Sequence, residues 1–212
     1  MSGQTKQARP YDIVKRMFDV VVSLIGLALT SPLQAGIAVL VARKLHRPIL
    51  FRQQRPGRAG APFELLKFRT MIEPDEVLGL LSDEQRLTEF GAKLRRTSLD
   101  ELPTLLNVLR GEMSLVGPRP LMMQYLDRYS SDQHRRHEVR PGITGLAQVG
   151  GRNLLSWDDK FRADLDYVDR RSLILDAKIL FRTMSLVLRR EGISADGVAT
   201  MPEFFGPADD SR

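Results

Sequence analysis

The 212-residue sequence contains no cysteine. Disulfides, thiolate metal sites and a cysteine nucleophile are excluded on that ground. Histidine is scarce: His46, His134 and His137 are the only three. The last two stand at a spacing that can share a metal, but no HExxH pattern accompanies them, and a surface helix accounts for them better. The glycine-rich phosphate loops GxxxxGK[ST] and GxGxxG are absent as well. Charge is missing from one stretch altogether. From Val20 to Ala42 no side chain is charged, in a chain where 27% of residues are.

Elsewhere the chain carries 32 Lys and Arg against 26 Asp and Glu, a formal net charge of +6. A mild basic excess suits partners bearing phosphate, such as nucleotides, nucleic acid or anionic headgroups, although a solvated surface has the same composition. No recognition-helix or aromatic-platform pattern speaks for nucleic acid. At 42% hydrophobic residues the chain is not globally disordered. Its length suits one domain with a core and a small appendage.

The uncharged run is long enough to enter a bilayer, which takes about 20 apolar residues to cross. It is too long for a signal peptide, and Arg43-Lys44-Leu45-His46 is no cleavage site. Ser31-Pro32 falls near its middle, where proline bends or breaks a helix. Lys15 and Arg16 precede the run, and Arg43, Lys44 and Arg47 follow it. Basic flanks favour the cytoplasmic side, so positive charge at both ends suits a hairpin that enters and leaves by one face. Each limb would span about 15 residues, or about 22 Å. The hydroxyls of Thr30 and Ser31 are placed to satisfy backbone freed at the bend. Spacing and charge leave a kinked spanning helix equally open, with a buried helix pair a weaker third.

The remainder reads as helix-rich α+β. Ile49–Gln53 and Phe63–Met71 are β-prone, and the turn formers of residues 54–62 between them predict a hairpin. Ser82 and Gln85 predict a capping box opening a short helix that Gly91 ends. Leu102, Leu105, Leu106 and Leu109 predict a helix stopped by Gly111. Gly117-Pro118-Arg119-Pro120 is a rigid loop, Leu121 to His137 reads as helix, and Arg140–Gly145 as a connector. Trp157, Phe161, Leu165 and Val168 share a helix face capped by Ser156, and a second amphipathic helix runs from Leu173 to Arg190, stopped by Gly192. Such helices beside a membrane segment can lie on headgroups, but core packing is favoured for both. The domain reading is a flexible start over 1–12, a membrane segment over 13–47, a globular domain over 48–192 and a loose tail over 193–212.

Asp100-Glu101 precedes Pro103, which places the pair in the first turn of the following helix, near the positive end of its dipole. That position favours an ionised carboxylate, able to attack phosphorus or ligate Mg²⁺. Acids in a first turn are also routine, and Ser98 to Glu101 fits a capping box. Lys67, Arg69, Arg95, Arg96 and Arg119 punctuate the flanking segments. Arg119, held between two prolines, is a guanidinium presented from a stiff backbone, a good clamp for phosphate oxygens.

Taken together and in order, several motifs carry a resemblance: Lys15-Arg16-Met17-Phe18-Asp19, Ser31-Pro32, residues 51–57 (FRQQRPG), Lys67-Phe68-Arg69-Thr70-Met71, residues 94–103 (LRRTSLDELP), residues 107–120 (NVLRGEMSLVGPRP) and residues 140–145 (RPGITG). Over about residues 13–190 the chain resembles the bacterial sugar transferases, the monotopic phosphoglycosyl transferases. The resemblance implies a re-entrant membrane helix broken at Ser31 and Pro32, and a small cytoplasmic domain with a β-hairpin and amphipathic interfacial helices. It also implies residence at the cytoplasmic face of a bacterial inner membrane and a role in starting glycoconjugate or polysaccharide assembly. The activity implied is transfer of a sugar phosphate from a UDP-sugar to undecaprenyl or another polyprenyl phosphate, releasing UMP. In it Asp100 would be the nucleophile and a Mg²⁺ ligand, Glu101 its assistant, and Arg119, Lys67, Arg69 and Arg96 the phosphate-binding residues. A homo-oligomer is compatible with this reading; nucleic acid is not an expected partner. The alternative is a membrane-anchored scaffold that binds anionic lipid without turnover.

Overall fold

The apolar run forms one helix, α1 (Pro10–Lys44), in a computed structural model that describes residues 10–75, 81–151, 155–189 and 203–206. Pro32 lies inside it. Proline offers no N–H to the carbonyl four residues back, here that of Ala28. Ser31 Oγ donates to that carbonyl at 2.9 Å, and Thr30 Oγ1 donates to Gly26 O at 2.6 Å. The acceptor that proline strands is satisfied by the preceding hydroxyl, and the helix is not divided in two at Ser31-Pro32. Among the described residues it runs from Pro10, three residues ahead of the expected start at residue 13.

Both ends of α1 are tied to the globular body. Near its start Asp19, buried, accepts from Leu115 N, and Lys15 Nζ and the Tyr11 hydroxyl both donate to Asp176 Oδ2. Near its end Ile37, Val41 and Leu45 are buried against Phe68 and Leu94. Between these anchors Leu24, Ile25, Leu29 and Leu33 remain exposed.

The expected hairpin forms. β1 (Leu50–Pro56) pairs antiparallel with β2 (Pro62–Phe68), in register from Leu50 opposite Phe68 to Pro56 opposite Pro62. Ser82 caps α2 (Asp83–Arg86) through the expected box with Gln85, but Gly91 does not end that helix. A new helix, α3 (Glu89–Arg96), starts under a Thr88 cap and carries Gly91 within it. A Cβ there would stand 1.8 Å from Thr70 O. Gly91 is demanded by close approach to the strand end, not by helix termination.

α4 (Thr104–Arg110) ends at Gly111, which adopts the left-handed φ of 82° expected of a helix stop. Arg16 donates to the Val108 and Leu109 carbonyls there, so α1 caps α4. Fully buried Asn107 staples α4 to β2: its Oδ1 accepts from Leu66 N at 3.0 Å, and its Nδ2 donates to Glu64 O and Glu112 Oε2. Asn107→Ala strands the buried Leu66 N–H and removes both amide donations, and is expected to cost about 2–4 kcal/mol, read as a lowered thermal midpoint of the protein in detergent.

Residues 140–145 are more than a connector. β4 (Gly142–Thr144) pairs in parallel with β3 (Ser114–Val116). Residues 121–138 are not one helix either: 3₁₀ turns at Met123–Arg128 and Arg135–Glu138 flank the short α5 (Ser131–His134). α6 (Leu146–Gly150) leads toward α7 (Trp157–Arg170), capped by Ser156 as expected, and α8 (Leu173–Arg189) follows. α7 buries Phe161, Tyr167 and Val168. α8 is split: Asp176 and Ile179 face the core, while Ile174, Phe181, Met184 and Leu188 are exposed. The expected stop at Gly192 lies outside the described residues. The tail is not loose throughout, since Phe204 is buried against Tyr125, Tyr129 and Phe161.

Candidate active site

The acidic pair stands on a 3₁₀ turn, Leu99–Glu101, one step before α4 rather than in its first turn. Ser98, at a left-handed φ of 55°, enters this turn without forming the expected side-chain cap. Because Asn107 and Thr104 fasten α4 to β2 through Leu66, the turn is carried beside the next residue of that strand, Lys67. Lys67 Nζ donates to Glu101 Oε1 at 2.5 Å.

The same oxygen accepts from Arg119 Nη2 at 3.4 Å. Arg119 sits on a loop sewn down by backbone bonds: Gly117 N donates to Thr144 O and Gly142 N to Pro118 O. A Cβ at Gly142 would meet Gly117 N at 2.1 Å, so only glycine lets the two strands close at this point. Below the loop, buried Arg136 donates to Arg119 O at 2.7 Å and to Asp164 Oδ2 at 2.6 Å.

The two carboxylates are therefore unlike. Burial raises the pKa of Glu101, but Lys67 and Arg119 outweigh it, and Glu101 is held well below the usual carboxylate range. Asp100 is 7% exposed, and burial together with the charge of Glu101 pushes its pKa up. Lys67, Arg95 and Arg119 act against that rise without reversing it. The helix dipole was expected to favour ionisation; burial and the neighbouring carboxylate are the larger effects here.

A family model described as "Bacterial sugar transferase" matches residues 10–190. The chain belongs to the bacterial sugar transferase family. Among relatives of this sugar transferase, "Uncharacterized sugar transferase EpsL" of Bacillus subtilis is 50% identical over 93% of the chain and 98% of the relative. "UDP-glucose:undecaprenyl-phosphate glucose-1-phosphate transferase" of Caulobacter vibrioides is 43% identical over 84% of the chain and 70% of the relative. "Undecaprenyl-phosphate galactose phosphotransferase" of Salmonella typhimurium is 41% identical over 84% of the chain. There the match spans only 41% of the relative's length.

In this sugar transferase the expected site residues divide. Lys67, Glu101 and Arg119 are in contact, and Asp100 lies within their field. Arg69 is engaged elsewhere: it donates to Glu73 and to His46 O, tying the end of β2 to the end of α1. Arg96 is exposed on α3, where its charge acts on Glu89. Its neighbour Arg95 instead acts on Asp100 through its charge, with Nε donating to Thr70 Oγ1 at 3.0 Å. Arg55, carried only within the motif at residues 51–57, is half-buried, and its Nη2 donates to Gln53 Oε1 at 2.6 Å. It lies in the field of Arg119, its Nε is buried with no partner among the described residues, and burial and Arg119 lower its pKa to about 10. The turn-rich 54–62 segment contained it, but nothing in the local pattern distinguishes a site arginine from a surface one. His137 is not a surface residue: it is buried, its Nδ1 is 3.2 Å from Gly57 O, and burial and Arg136 lower its pKa to about 4.

Among the described residues no three His, Asp or Glu side chains form a metal cage. Mg²⁺ commonly uses one or two protein carboxylates plus substrate phosphates. Asp100, the carboxylate not occupied by Lys67 and Arg119, fits that mode of binding.

Proposed function

We propose that this chain transfers a sugar 1-phosphate from a UDP-sugar to undecaprenyl phosphate through a covalent intermediate on Asp100. The difference between the two carboxylates carries the reading: Glu101 is engaged by Lys67 and Arg119, which leaves Asp100 to react. An Asp100 oxygen attacks the phosphorus that bears the sugar. The P–O bond to the nucleotide breaks, UMP leaves with the bridging oxygen, and an acyl phosphate forms. An oxygen of the lipid phosphate then attacks the same phosphorus, breaking the bond to Asp100 and giving polyprenyl-diphosphate sugar.

Phosphoryl transfer depends chiefly on neutralising charge and fixing geometry. Arg119, Arg95 and Lys67 supply fixed positive charge, and Glu101 holds two of them in place. A magnesium ion held by Asp100 and donor phosphate oxygens would add charge neutralisation there. The relatives named as undecaprenyl-phosphate phosphotransferases support the donor and acceptor classes.

The reading places the protein at the cytoplasmic face of the inner membrane with α1 re-entrant. Anchoring of both ends of α1 to one globular body supports it, as do the exposed apolar residues between those anchors and on α8. The chain lacks cysteine, so single cysteines at Ser2 and Asp196 can be labelled without background. Labelling from the same side is expected; opposite sides would overturn the re-entrant topology.

A screen of UDP-sugars with undecaprenyl phosphate and Mg²⁺ tests the activity by UMP release. Silence across all donors, with liposome binding that falls steeply with salt, favours the scaffold instead. The pH dependence is a second check. Attack requires ionised Asp100, and a raised pKa keeps the protonated form to higher pH than an ordinary carboxyl of about 4. The rate of UMP release is expected to fall on acidification before that ordinary range is reached.

A further inference from the structure

Residues 203–206 close over an aromatic pocket lined by Tyr125, Tyr129, Trp157 and Phe161. Phe204 is 2% exposed, and its ring centroid lies 5.0–5.8 Å from those of Phe161, Trp157, Tyr125 and Tyr129. Glu203 Oε1 accepts from Gln124 Nε2 and from Arg128 Nη1, each at 2.8 Å. Arg128 also donates to Phe204 O. The segment thus clasps the 3₁₀ turn Met123–Arg128, which follows directly on the Arg119 loop.

The pocket continues toward that loop. Arg136 stacks between Tyr129 and Phe161, its guanidinium carbon 5.8 Å and 5.7 Å from the two ring centres. The same guanidinium bonds Asp164 and Arg119 O. Phe204 packs on the same two rings, so it confines the side chain that holds the Arg119 backbone. A buried ion pair broken or wetted on one side loses much of its geometric control.

We propose that the C-terminal segment Glu203–Gly206 is a positioning element for Arg119, acting through the aromatic pocket and Arg136. Phe204 and Glu203 touch no reacting atom; they set where the Arg119 guanidinium is presented. The inference rests on Arg119 binding donor phosphate, as set out above.

The test uses the full chain in detergent with Phe204→Ala, and with Glu203→Gln as a surface substitution that preserves the core. Amide hydrogen exchange is read on wild-type and variant proteins, independently of turnover. Exchange is expected to rise over residues 117–136 while α1 and the β1–β2 hairpin keep wild-type protection. The donor KM for UMP release is expected to rise about tenfold in Phe204→Ala, since a small misplacement of a binding group is costly. It should rise little further when Phe204→Ala is added to Arg119→Ala. Wild-type exchange over 117–136 in both variants overturns the proposal. So does loosening spread evenly over the whole chain, or a KM effect that multiplies in full with Arg119→Ala. A wild-type protein that releases no UMP from any donor refutes the transferase reading, a result separate from the exchange pattern.

Discussion

Asp100→Asn is expected to lower UMP release by about four orders of magnitude or more, because the substitution removes the nucleophile rather than weakening a contact. The variant should nevertheless fold, and fold more stably at neutral pH. The folded-state pKa of Asp100 is raised by burial and Glu101, so ionisation of this group opposes folding. Asparagine stays neutral and escapes that cost. The gain in thermal midpoint should be present at neutral pH and disappear as pH falls below the ordinary carboxylate range, where Asp100 is protonated in both folded and unfolded chains. An inactive but stabilised variant separates chemistry from misfolding. Mass spectrometry of wild-type enzyme given donor alone should find a phosphosugar on residue 100, absent from the variant. Turnover retained in Asp100→Asn would end the assignment.

That rise in Asp100 pKa also shows where sequence reasoning stops. The Asp-Glu pair, the leucine spacing behind α4 and the Gly111 stop are local features, and each is written in neighbouring residues. The β-hairpin is local too, since its turn formers and its β-prone runs are contiguous. Burial of Asp100 depends on how α4 docks on β2 through Asn107, a contact between residues 41 apart. Nothing adjacent in the chain encodes it. The arginines divide in the same way. Arg95 and Arg96 are equivalent to composition and charge, and only the packing of α3 brings the charge of the first to bear on Asp100 and leaves the second in solvent. Arg69, expected at the phosphate site, joins the end of β2 to the end of α1, a contact between residues 23 apart. The three-residue strands β3 and β4 are too short for periodicity to register, although Gly142 in β4 and Gly117 just after β3 hold the Arg119 loop. At Pro32 the freed carbonyl of Ala28 is met by the Ser31 hydroxyl, so α1 continues through a position where the sequence predicts a break.

Arg119→Ala should cost about 10²–10³-fold in UMP release, the range expected when one preorganised charge is removed from a phosphoryl-transfer site. Arg119 is half-exposed, which leaves its guanidinium accessible to a ligand, while its backbone is fixed by the prolines, the Gly142 contact and Arg136. Loss of its side chain leaves Glu101 paired with Lys67, so the dyad should survive and the fold should be little affected. Arg119→Lys keeps the charge but not the planar fork that meets two phosphate oxygens, and should recover only part of the rate. The distinguishing measurement is the split between donor and acceptor. If Arg119 grips the nucleotide diphosphate, the donor KM and the rate of UMP release both suffer, while the KM for undecaprenyl phosphate stays near wild type. A defect confined to the acceptor would assign the guanidinium to the lipid phosphate, and wild-type kinetics for both substrates would remove Arg119 from the site.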